Sequence, residues 1–393
     1  MRIIKRSGFN FFMAVLLLLS DSKAQSDSVA FYTKHMQDLF DSSGIVGMSA
    51  AIVAKGKVIW KEGYGYSDLD TRKPFLTSTI MNTGSITKTF TGVCIMKLVE
   101  EGKLNLDEDI NTYLPFKVIN PDFPNDKITL RHLATHTSGL ADRYPFYDDT
   151  VYVYGRKKPE ALGSFLRNYF LAGGKYYAKE NFLPYKPGTF RSYSNIATGL
   201  AGYIVECVSK KTLQAYSKEI IFNQLNMKAI GWSLNEIDIK KHTKLYKRKG
   251  AELTKQDWYE GITYPDGGVR TTVEELAKFF IALLNDGMYE NRRLLRKSTT
   301  DELIRFQYTD SNRPVNVPST KKLNSGIYWS TKMNGAAMGH NGSDPGVRTF
   351  MLSDLNKEVG VIIFFNTSMK DDEEIKYFNI YTTLCKLGLL LNK

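Results

Sequence analysis

The sequence predicts an α/β (α+β) fold in which one antiparallel sheet, built from the N- and C-terminal segments and flanked by helices, carries a mostly helical inserted region. Two observations predict this fold. Strand-like runs are concentrated at the two ends of the chain, near residues 48–66 and after about residue 326, whereas helical periodicity dominates between them. The length of 393 residues and the hydrophobic content of 42% also suffice for a sizeable core.

The first 24 residues have the pattern of a secretory signal peptide. Three basic residues precede an apolar run over 11–19, and small residues at Ser22 and Ala24 mark a cleavage site. The apolar run is too short to span a bilayer. We therefore expect an exported chain, periplasmic or secreted, without stable membrane insertion; a retained N-terminal anchor is the alternative.

The remaining residues, 25–393, are expected to form one domain. Its sheet region would cover about 27–103 and 320–393, and its helical region about 104–319. At the N-terminus, helical apolar spacing over 27–40 ends at Ser43-Gly44. Strand-like runs over 48–54 and 58–66 flank Lys55-Gly56-Lys57, which predicts a hairpin. A helix with a long apolar face then begins at Ser85 and ends before Gly102.

The middle of the chain is predicted to be helices and long loops, and the tail is predicted to return to strands. Helices are expected over 129–136, 195–208, 212–222 and 272–284, the last opening with a capping box from Thr272 to Glu275. Strands are expected over 326–331, 336–339, 349–353 and 359–366. A final amphipathic helix over 373–391 closes the chain.

Charge and cysteine content narrow the function classes. The formal net charge of +12 would favour anionic surfaces such as cell-wall polymers. The basic residues are spread out, and the two denser clusters, at 247–249 and 292–297, lack interleaved aromatic residues and nucleic-acid motifs, which argues against nucleic-acid binding. Cys94, Cys207 and Cys385 cannot all pair, and their apolar helical surroundings favour buried free thiols.

Ser85 and Lys88 form the first pair with chemical potential. A serine and a lysine three residues apart on one helical turn share a face, so the amine could take the proton of the hydroxyl. This requires that burial or a neighbouring cation lowers the lysine pKa. The same S-x-x-K pattern occurs at Ser20 and Ser319, but only Ser85 opens a helix with a long apolar face.

The segment Tyr193-Ser194-Asn195 is the second candidate. It follows Lys186-Pro187-Gly188 and runs directly into a predicted helix. A tyrosine at this position could act as a phenolate base, and the asparagine could hold a substrate amide.

The segment His340-Asn341-Gly342-Ser343, at the end of a predicted strand, is the third candidate. Gly342 would allow a substrate backbone to approach the strand edge closely, and the next backbone N–H could donate to an oxyanion. An ordinary turn with a surface histidine is the alternative.

In this order and at these separations, the three segments resemble the serine β-lactamase and penicillin-binding protein superfamily. The likeness is greatest to its branch of class C β-lactamases, D-alanyl-D-alanine carboxypeptidases and esterase-like proteins, and it covers the chain from about Asp27 onward. The supporting stretches are LRHLATHTSGL at 130–140, YSNIATGL at 193–200, PDGG at 265–268 and GHNG at 339–342. The resemblance implies a β-lactamase/transpeptidase-like fold.

The resemblance also implies roles for individual residues. Ser85 would be acylated, while Lys88 and Tyr193 would share the proton transfers. Asn195 would bind the acyl amide of the substrate, and His340 would stand where many relatives have a lysine. The backbone N–H groups of Ser85 and Ser343 would form the oxyanion hole.

Two departures from the family pattern bear on the substrate. A histidine is mostly neutral at pH 7, so the site has less positive charge than its lysine-bearing relatives. Asn341 replaces the threonine usual in β-lactamases, which puts recognition of a β-lactam carboxylate in doubt. Arg348 could restore part of the charge, or it could be a solvated strand residue. These changes argue against an efficient β-lactamase and not against acyl transfer.

Three other patterns have ordinary structural explanations. The E-x-x-L-N pattern from Glu101 lies too close to Ser85 to supply a deacylating glutamate. His132 and His136 have zinc-ligand spacing but no third ligand, so structural hydrogen bonds are favoured and no metal or cofactor is expected. The tyrosine-rich segment from residue 143 to residue 185 could line a substrate cleft or could belong to an ordinary packed insert.

The sequence thus predicts an exported serine hydrolase that forms an acyl-enzyme. Its substrate would be a small molecule or a peptide: a peptide ending in D-amino acids, including cell-wall peptide, a small ester or amide, or a β-lactam. The alternative is a penicillin- or cell-wall-binding protein of the same fold with little or no turnover.

Overall fold

A computed structural model describes residues 27–155, 157–370 and 373–393. The predicted signal peptide lies outside these residues. The α-helices of the described residues are 27–43 (α1), Thr87–Glu100 (α2), Leu130–Ala134 (α3), Phe146–Val151 (α4), Leu162–Phe170 (α5), Asn195–Ser209 (α6), Leu213–Ser217 (α7), Val273–Leu284 (α8), Lys297–Ile304 (α9) and Ile375–Leu391 (α10). None of the described helices is both long and apolar enough to cross a membrane.

The strands follow the same chain order. They are Gly47–Ala54 (β1), Lys57–Asp68 (β2), Lys73–Pro74 (β3), Met81–Asn82 (β4), Tyr152–Tyr154 (β5), Ile230–Gly231 (β6), Leu245–Lys249 (β7), Glu252–Gln256 (β8), Tyr259–Gly261 (β9), Arg270–Thr271 (β10), Met288–Tyr289 (β11), Arg292–Arg293 (β12), Ser330–Lys332 (β13), Ala337–Asp344 (β14), Val347–Asp354 (β15), Val359–Phe365 (β16) and Thr367–Ser368 (β17).

The largest sheet confirms the predicted fold class. Its seven strands run in the order β13-β14-β15-β16-β1-β2-β3, and every neighbouring pair is antiparallel. Strand β1 pairs with the central strand β16 from the far end of the chain, Met48 opposite Phe365 and Ala54 opposite Val359. The β1–β2 hairpin turns through Lys55 and Gly56, both at positive φ, which is the geometry of a tight two-residue turn.

Helices cover both faces of this sheet, as the alternation of side chains along β1 requires. Ala50 and Ile52 face α1 and α10, where Ile380 and Leu384 are fully buried. Ala51 and the other inward residues of β1 belong to the larger core that contains α2 and α8. Helix α8 contacts β1 and β16 of the sheet directly, whereas α2 packs against α6, α7 and α9 of the helical region.

The sequence reasoning missed the short strands of the middle region. The hairpin of β7 and β8 replaces a predicted loop, and β5 pairs with β9 to hold residues 152–154 against residues 259–261. Predicted strand 326–331 is also displaced, because ladder pairing begins only at Ser330 and continues to Lys332. All three cysteines are free thiols as expected, but only Cys94 is buried, whereas Cys207 and Cys385 are half-buried.

Candidate active site

Ser85 lies in a single turn of 3-10 helix, Gly84–Ile86, that leads directly into α2. Its hydroxyl oxygen accepts two hydrogen bonds, from Lys88 Nζ at 3.0 Å and from the Tyr193 hydroxyl at 2.8 Å. The structure therefore brings together the serine, lysine and tyrosine that the sequence singled out.

Lys88 is fully buried and uses all three of its N–H donors. In addition to Ser85, Nζ donates to Asn195 Oδ1 at 2.7 Å and to the backbone carbonyl of Asp266 at 3.0 Å. Burial lowers the Lys88 pKa, but the neighbouring Tyr193 hydroxyl and the Asp266 carboxyl group raise it, and the net direction is upward. The expected lowering of the lysine pKa is thus not found in the resting site.

Tyr193 is held above Lys88, whose Nζ lies 4.9 Å from the centre of the tyrosine ring. The ring of His136 packs against the same tyrosine, with 4.3 Å between ring centres. Burial raises the Tyr193 pKa, and the opposing attraction of Lys88 does not cancel it. The resting site accordingly holds a protonated amine and a neutral phenol around the Ser85 hydroxyl.

The start of α6 is fixed by Asp142, which sequence reasoning missed. Its carboxylate accepts hydrogen bonds from the Ser194 hydroxyl at 2.8 Å and from the backbone N–H groups of Asn195 at 2.8 Å and Ile196 at 2.9 Å. An anionic acceptor at a helix N-terminus satisfies donors that the helix cannot. This contact orients Asn195 toward Lys88. Asp142 lies two residues beyond the 130–140 stretch, but no local pattern shows that it reaches α6.

Strand β14 lies against the turn that carries Ser85. A Cβ on Gly342 would come within 2.3 Å of the Thr83 carbonyl oxygen and 3.0 Å of the Ser85 nitrogen. The absence of a side chain at Gly342 therefore makes room for the turn that carries Ser85. Its predicted role, to let a substrate backbone approach the strand, is not supported. The backbone nitrogen of Ser343 borders the same turn, 3.3 Å from the position of a Cβ on Gly84. The two predicted oxyanion donors, at Ser85 and Ser343, thus belong to adjoining segments.

His340 is buried on β14, and its ring centre lies 6.4 Å from that of Tyr193. Its Nδ1–H donates to the backbone carbonyl of Asn341 at 2.7 Å, which leaves Nε2 as an acceptor. Burial, together with the nearby charges of Lys332 and Lys88, holds the His340 pKa well below its usual range. The histidine is therefore neutral at pH 7, as its type suggested. Asn341 lines the cleft beside it.

Lys332, at the end of edge strand β13, is a positively charged residue of the cleft that the sequence did not predict. It lines the cleft near His340, and burial together with the positive charges of Arg191 and Arg348 lowers its pKa to about 8. No carboxylate of the described residues pairs with it.

Arg348 does not reach the cleft, so its predicted substrate contact is not supported. Strand alternation turns it to the α10 face, where it pairs with Glu374 at 3.1 Å.

The cleft above Ser85 has a volume of about 760 Å³. Part of its lining comes from the insert, through four tyrosines that we call the tyrosine wall: Tyr144, Tyr147, Tyr152 and Tyr154. The predicted cleft lining thus holds for the first half of the tyrosine-rich segment. The second half does not line the cleft, and its Tyr185 stacks on Phe190 instead.

Two carboxyl groups lie below the tyrosine wall. Asp266 accepts from the Tyr147 hydroxyl at 3.1 Å, and Asp344 accepts from the Tyr152 hydroxyl at 3.0 Å. Burial is the main cause that raises the Asp266 pKa to about 7 and the Asp344 pKa to about 6. The sequence predicted no site role for either carboxyl group. The patterns around Asp266 and Asp344 indicated roles for glycines and backbone groups and not for these side chains.

The alternative histidine pair does not form a metal site. His136 Nδ1 accepts the expected structural hydrogen bond, from the Ser194 backbone N–H at 3.3 Å, whereas the buried His132 Nδ1 has no hydrogen-bond partner among the described residues. Across the part of the chain that the structure describes, His, Cys, Asp and Glu form no group of three that could hold a metal ion.

An antiparallel sheet beside a helical region, with a serine in the turn that leads into a buried helix and a lysine on the first turn of that helix, defines the class of serine β-lactamases and penicillin-binding proteins. Within that class, the sequence matches the Beta-lactamase family over residues 32–381, and the chain belongs to this family. Both the family and the class agree with the resemblance drawn from the motifs.

Two curated relatives show how distant the similarity is. Protein flp of Staphylococcus aureus (strain MRSA252) is 25% identical over 351 residues, which cover 89% of this chain and 64% of the relative. Penicillin-binding protein 4* of Bacillus subtilis (strain 168) is 24% identical over 361 residues, covering 86% of this chain and 73% of the relative. The chain therefore spans just under two thirds of the length of protein flp.

Solved structures support the fold. The octameric penicillin-binding protein homologue from Pyrococcus abyssi superimposes with a TM-score of 0.71 at 24% identity, covering 92% of this chain and 77% of that one. The D-amino acid amidase from Ochrobactrum anthropi SV3, solved with L-phenylalanine amide, gives a TM-score of 0.72 at 20% identity, covering 93% and 98%. At these identities the similarity concerns the fold alone.

Proposed function

We propose that this protein is an exported serine hydrolase that acts through an acyl-enzyme on peptides of D-amino acids, small esters or amides, or β-lactams. The observation that carries this proposal is the contact of the Ser85 hydroxyl with two proton-transfer groups at once, Lys88 at 3.0 Å and Tyr193 at 2.8 Å. A serine needs such assistance to attack a carbonyl group near neutral pH.

The reaction would proceed in two steps. Ser85 Oγ forms a bond to the acyl carbon as its own proton passes to the Lys88–Tyr193 pair, and the bond to the leaving group breaks as Tyr193 returns a proton to it. The backbone N–H groups of Ser85 and Ser343 stabilise the oxyanion. Water then releases the acyl group from Ser85.

The protonation states of Lys88 and Tyr193 set a condition on the first step. Lys88 and Tyr193 both have raised pKa values, so the resting pair carries one proton too many to act as a base. One proton must leave before Ser85 can be deprotonated. We therefore expect activity to increase above neutral pH.

The charges that line the cleft favour some of these substrate classes over others. Lys332 is unpaired among the described residues and lies beside the Tyr193 end of the cleft, where it would bind a carboxylate on the leaving group. The neutral His340 and the Asn341 next to it favour peptides or small amides over β-lactams. The similarity in fold to a D-amino acid amidase supports the inclusion of amides.

A binding protein with little or no turnover is the second candidate, and one observation favours it. The Lys88 ammonium is fixed by three hydrogen bonds, one of them to a backbone carbonyl that cannot rearrange. A base locked in its protonated form would acylate and deacylate slowly, which suits a receptor for penicillin or cell-wall peptide.

Mass spectrometry of the intact protein tests both candidates. The protein is incubated with a fluorophosphonate, a penicillin, a D-alanyl peptide and a small ester, and the mass adduct and its lifetime are recorded. Ser85→Ala should abolish every adduct, whereas Ser319→Ala, which alters another S-x-x-K match, should leave them intact. Adducts that persist in Ser85→Ala refute the proposed nucleophile. A short-lived adduct with steady product release favours the enzyme, and a burst without turnover favours the binding protein.

Export is proposed from the sequence pattern of residues 1–24. N-terminal sequencing of the protein recovered from its native host tests this, since a mature chain that begins at Gln25 is expected. A chain that retains its first 24 residues would contradict the proposal.

A further inference from the structure

The two ends of the cleft differ in charge because of strand β14. His340, Gly342 and Asp344 alternate along the strand and therefore share one face. Gly342 contacts the turn that carries Ser85, so His340 and Asp344 lie on opposite sides of the nucleophile, about 13 Å apart along the strand at 3.3 Å per residue. Lys332 adds positive charge at the His340 end. Asp344 and Asp148 bring carboxyl groups to the rest of the cleft, which Lys247 also lines from β7.

Asp344 is a carboxyl group without an ion-pair partner among the described residues. One oxygen accepts from the Tyr152 hydroxyl at 3.0 Å. Asp344 lines both the cleft and a small cavity behind it, where the hydroxyl of Tyr259 also interacts with the carboxyl group and lowers its pKa. With a pKa of about 6, the carboxyl group is mostly ionised above neutral pH. The site thus retains both a negative charge and hydrogen-bonding capacity.

The tyrosine wall stands at the same end of the cleft. Tyr152 is bonded to Asp344, and Tyr144 and Tyr154 expose 58% and 43% of their surface. The face of an aromatic ring carries partial negative charge and attracts ammonium groups. Rings and carboxylate together therefore favour a cation that has an adjoining apolar part.

The geometry of proton transfer decides which half of the substrate meets this end. Tyr193 returns its proton to the leaving group, and its ring lies on the His340 side of Ser85. The leaving group must therefore extend toward His340 and Lys332. The acyl half extends the other way, toward Asp344 and the tyrosine wall.

We propose that the acyl half of the substrate carries a free, protonated amino group, which binds Asp344 beside the tyrosine wall. The inference rests on the proposed function and narrows its substrates to aminoacyl amides, aminoacyl esters and short peptides with an unblocked N-terminus. An N-acylated substrate would place a neutral amide against the Asp344 carboxylate and leave that charge unpaired.

Matched substrates test the inference. D-Phenylalanine p-nitroanilide and L-phenylalanine p-nitroanilide are each compared with their N-acetyl forms. A hydrogen bond to a charged group contributes about 1.5–3 kcal/mol, so kcat/KM for the free amine should exceed that for the acetylated form by about 10- to 100-fold. In Asp344→Asn this preference should fall to about 3-fold or less. Asp149→Asn, which removes an exposed carboxylate that does not line the cleft, should keep it.

A second measurement separates recognition from folding and catalysis. Fluorophosphonate labelling of Ser85 needs no ammonium group, so its rate in Asp344→Asn reports the state of the nucleophile apart from amine recognition, and Asp149→Asn should be labelled at the native rate. D-Phenylalanine amide should slow the labelling of the native protein at lower concentration than its N-acetyl form, even if turnover is negligible. If Asp344→Asn lowers the labelling rate by the same factor as it lowers the preference for free-amine over N-acetylated substrates, Asp344 has a structural role and the inference is overturned.

The remaining outcomes distinguish the two proposals. Equal kcat/KM for free and acetylated substrates, or equal competition by the two amides, refutes ammonium recognition and leaves the serine hydrolase intact. Absence of any label on Ser85 refutes the serine hydrolase itself.

Discussion

Gly342→Ala should inactivate the protein by separating β14 from the nucleophile turn. The added Cβ would lie 2.3 Å from the Thr83 carbonyl oxygen and 2.4 Å from Thr349 Oγ1, whereas ordinary contact begins at 3.4 Å. Relief of the first contact requires a shift of about 1 Å, since 3.4 minus 2.3 is 1.1 Å. The backbone oxygen cannot rotate away as a flexible side chain could, so the strand or the turn must move.

The displaced segment carries the predicted oxyanion donor at Ser343. Loss of one such donor, or a misplacement of about 1 Å, typically costs about 10²-fold in rate, which corresponds to about 2.7 kcal/mol of transition-state stabilisation. Overpacking should also lower the free energy of unfolding by about 1–3 kcal/mol. We therefore expect kcat/KM for a chromogenic ester to fall at least 50-fold while the protein remains folded at 25 °C.

Gly261→Ala is the matched control, because its Cβ would have no neighbour closer than 3.9 Å. Ester hydrolysis and urea unfolding are measured for both variants and for the native protein. Gly261→Ala should retain activity within about 3-fold. If Gly342→Ala also stays within 3-fold, the close approach of β14 to the Ser85 turn does not position the oxyanion donor, and the reasoning fails.

Three further predictions concern the Lys88–Tyr193 pair and two site residues, Lys332 and Asp142, that were not predicted from the sequence. First, kcat/KM should increase with pH above 7, because the raised pKa values of Lys88 and Tyr193 mean that a proton must leave before Ser85 can be activated; a flat profile from pH 6 to 10 contradicts this. Second, Lys332→Gln should raise KM about 10-fold for substrates with a carboxylate on the leaving group and leave neutral esters unchanged, and the native KM for the former should rise above pH 8, where Lys332 loses its proton. Third, Asp142→Ala should lower the free energy of unfolding by about 2–4 kcal/mol in urea denaturation, because three donors at the start of α6 lose their acceptor; an unchanged midpoint refutes this.

The residues that sequence reasoning brought together share a local signal. Ser85 and Asn195 each lie at the start of a helix with a clear apolar face, and His340 lies in a strand next to glycine. Such positions can be read from spacing and from turn chemistry within a few residues. The class of fold followed from the same signals, because strand-like runs at both ends of the chain are visible without knowledge of their partners.

The contacts that were missed depend on partners distant in sequence. Asp142 and Asp344 act through residues of other elements, and no pattern around either residue reveals those partners. Lys332 was overlooked because the predicted strand ended one residue before it. Arg348 was expected either to restore positive charge in the cleft or to be a solvated strand residue, but strand alternation places it on the opposite face, where it is largely buried and pairs with Glu374.

The pairing of β1 with β16 has a consequence for how the protein acquires its fold. Strand β1 has no partner on one side until residues 359–365, the central strand, are available, so the sheet cannot be completed before almost the whole chain has been synthesised. Contacts between segments so distant in sequence give a high contact order and slow folding. Acylation of Ser85 should therefore report the last phase of refolding, and shortened chains that stop before β14 should lack both the oxyanion strand and a closed core.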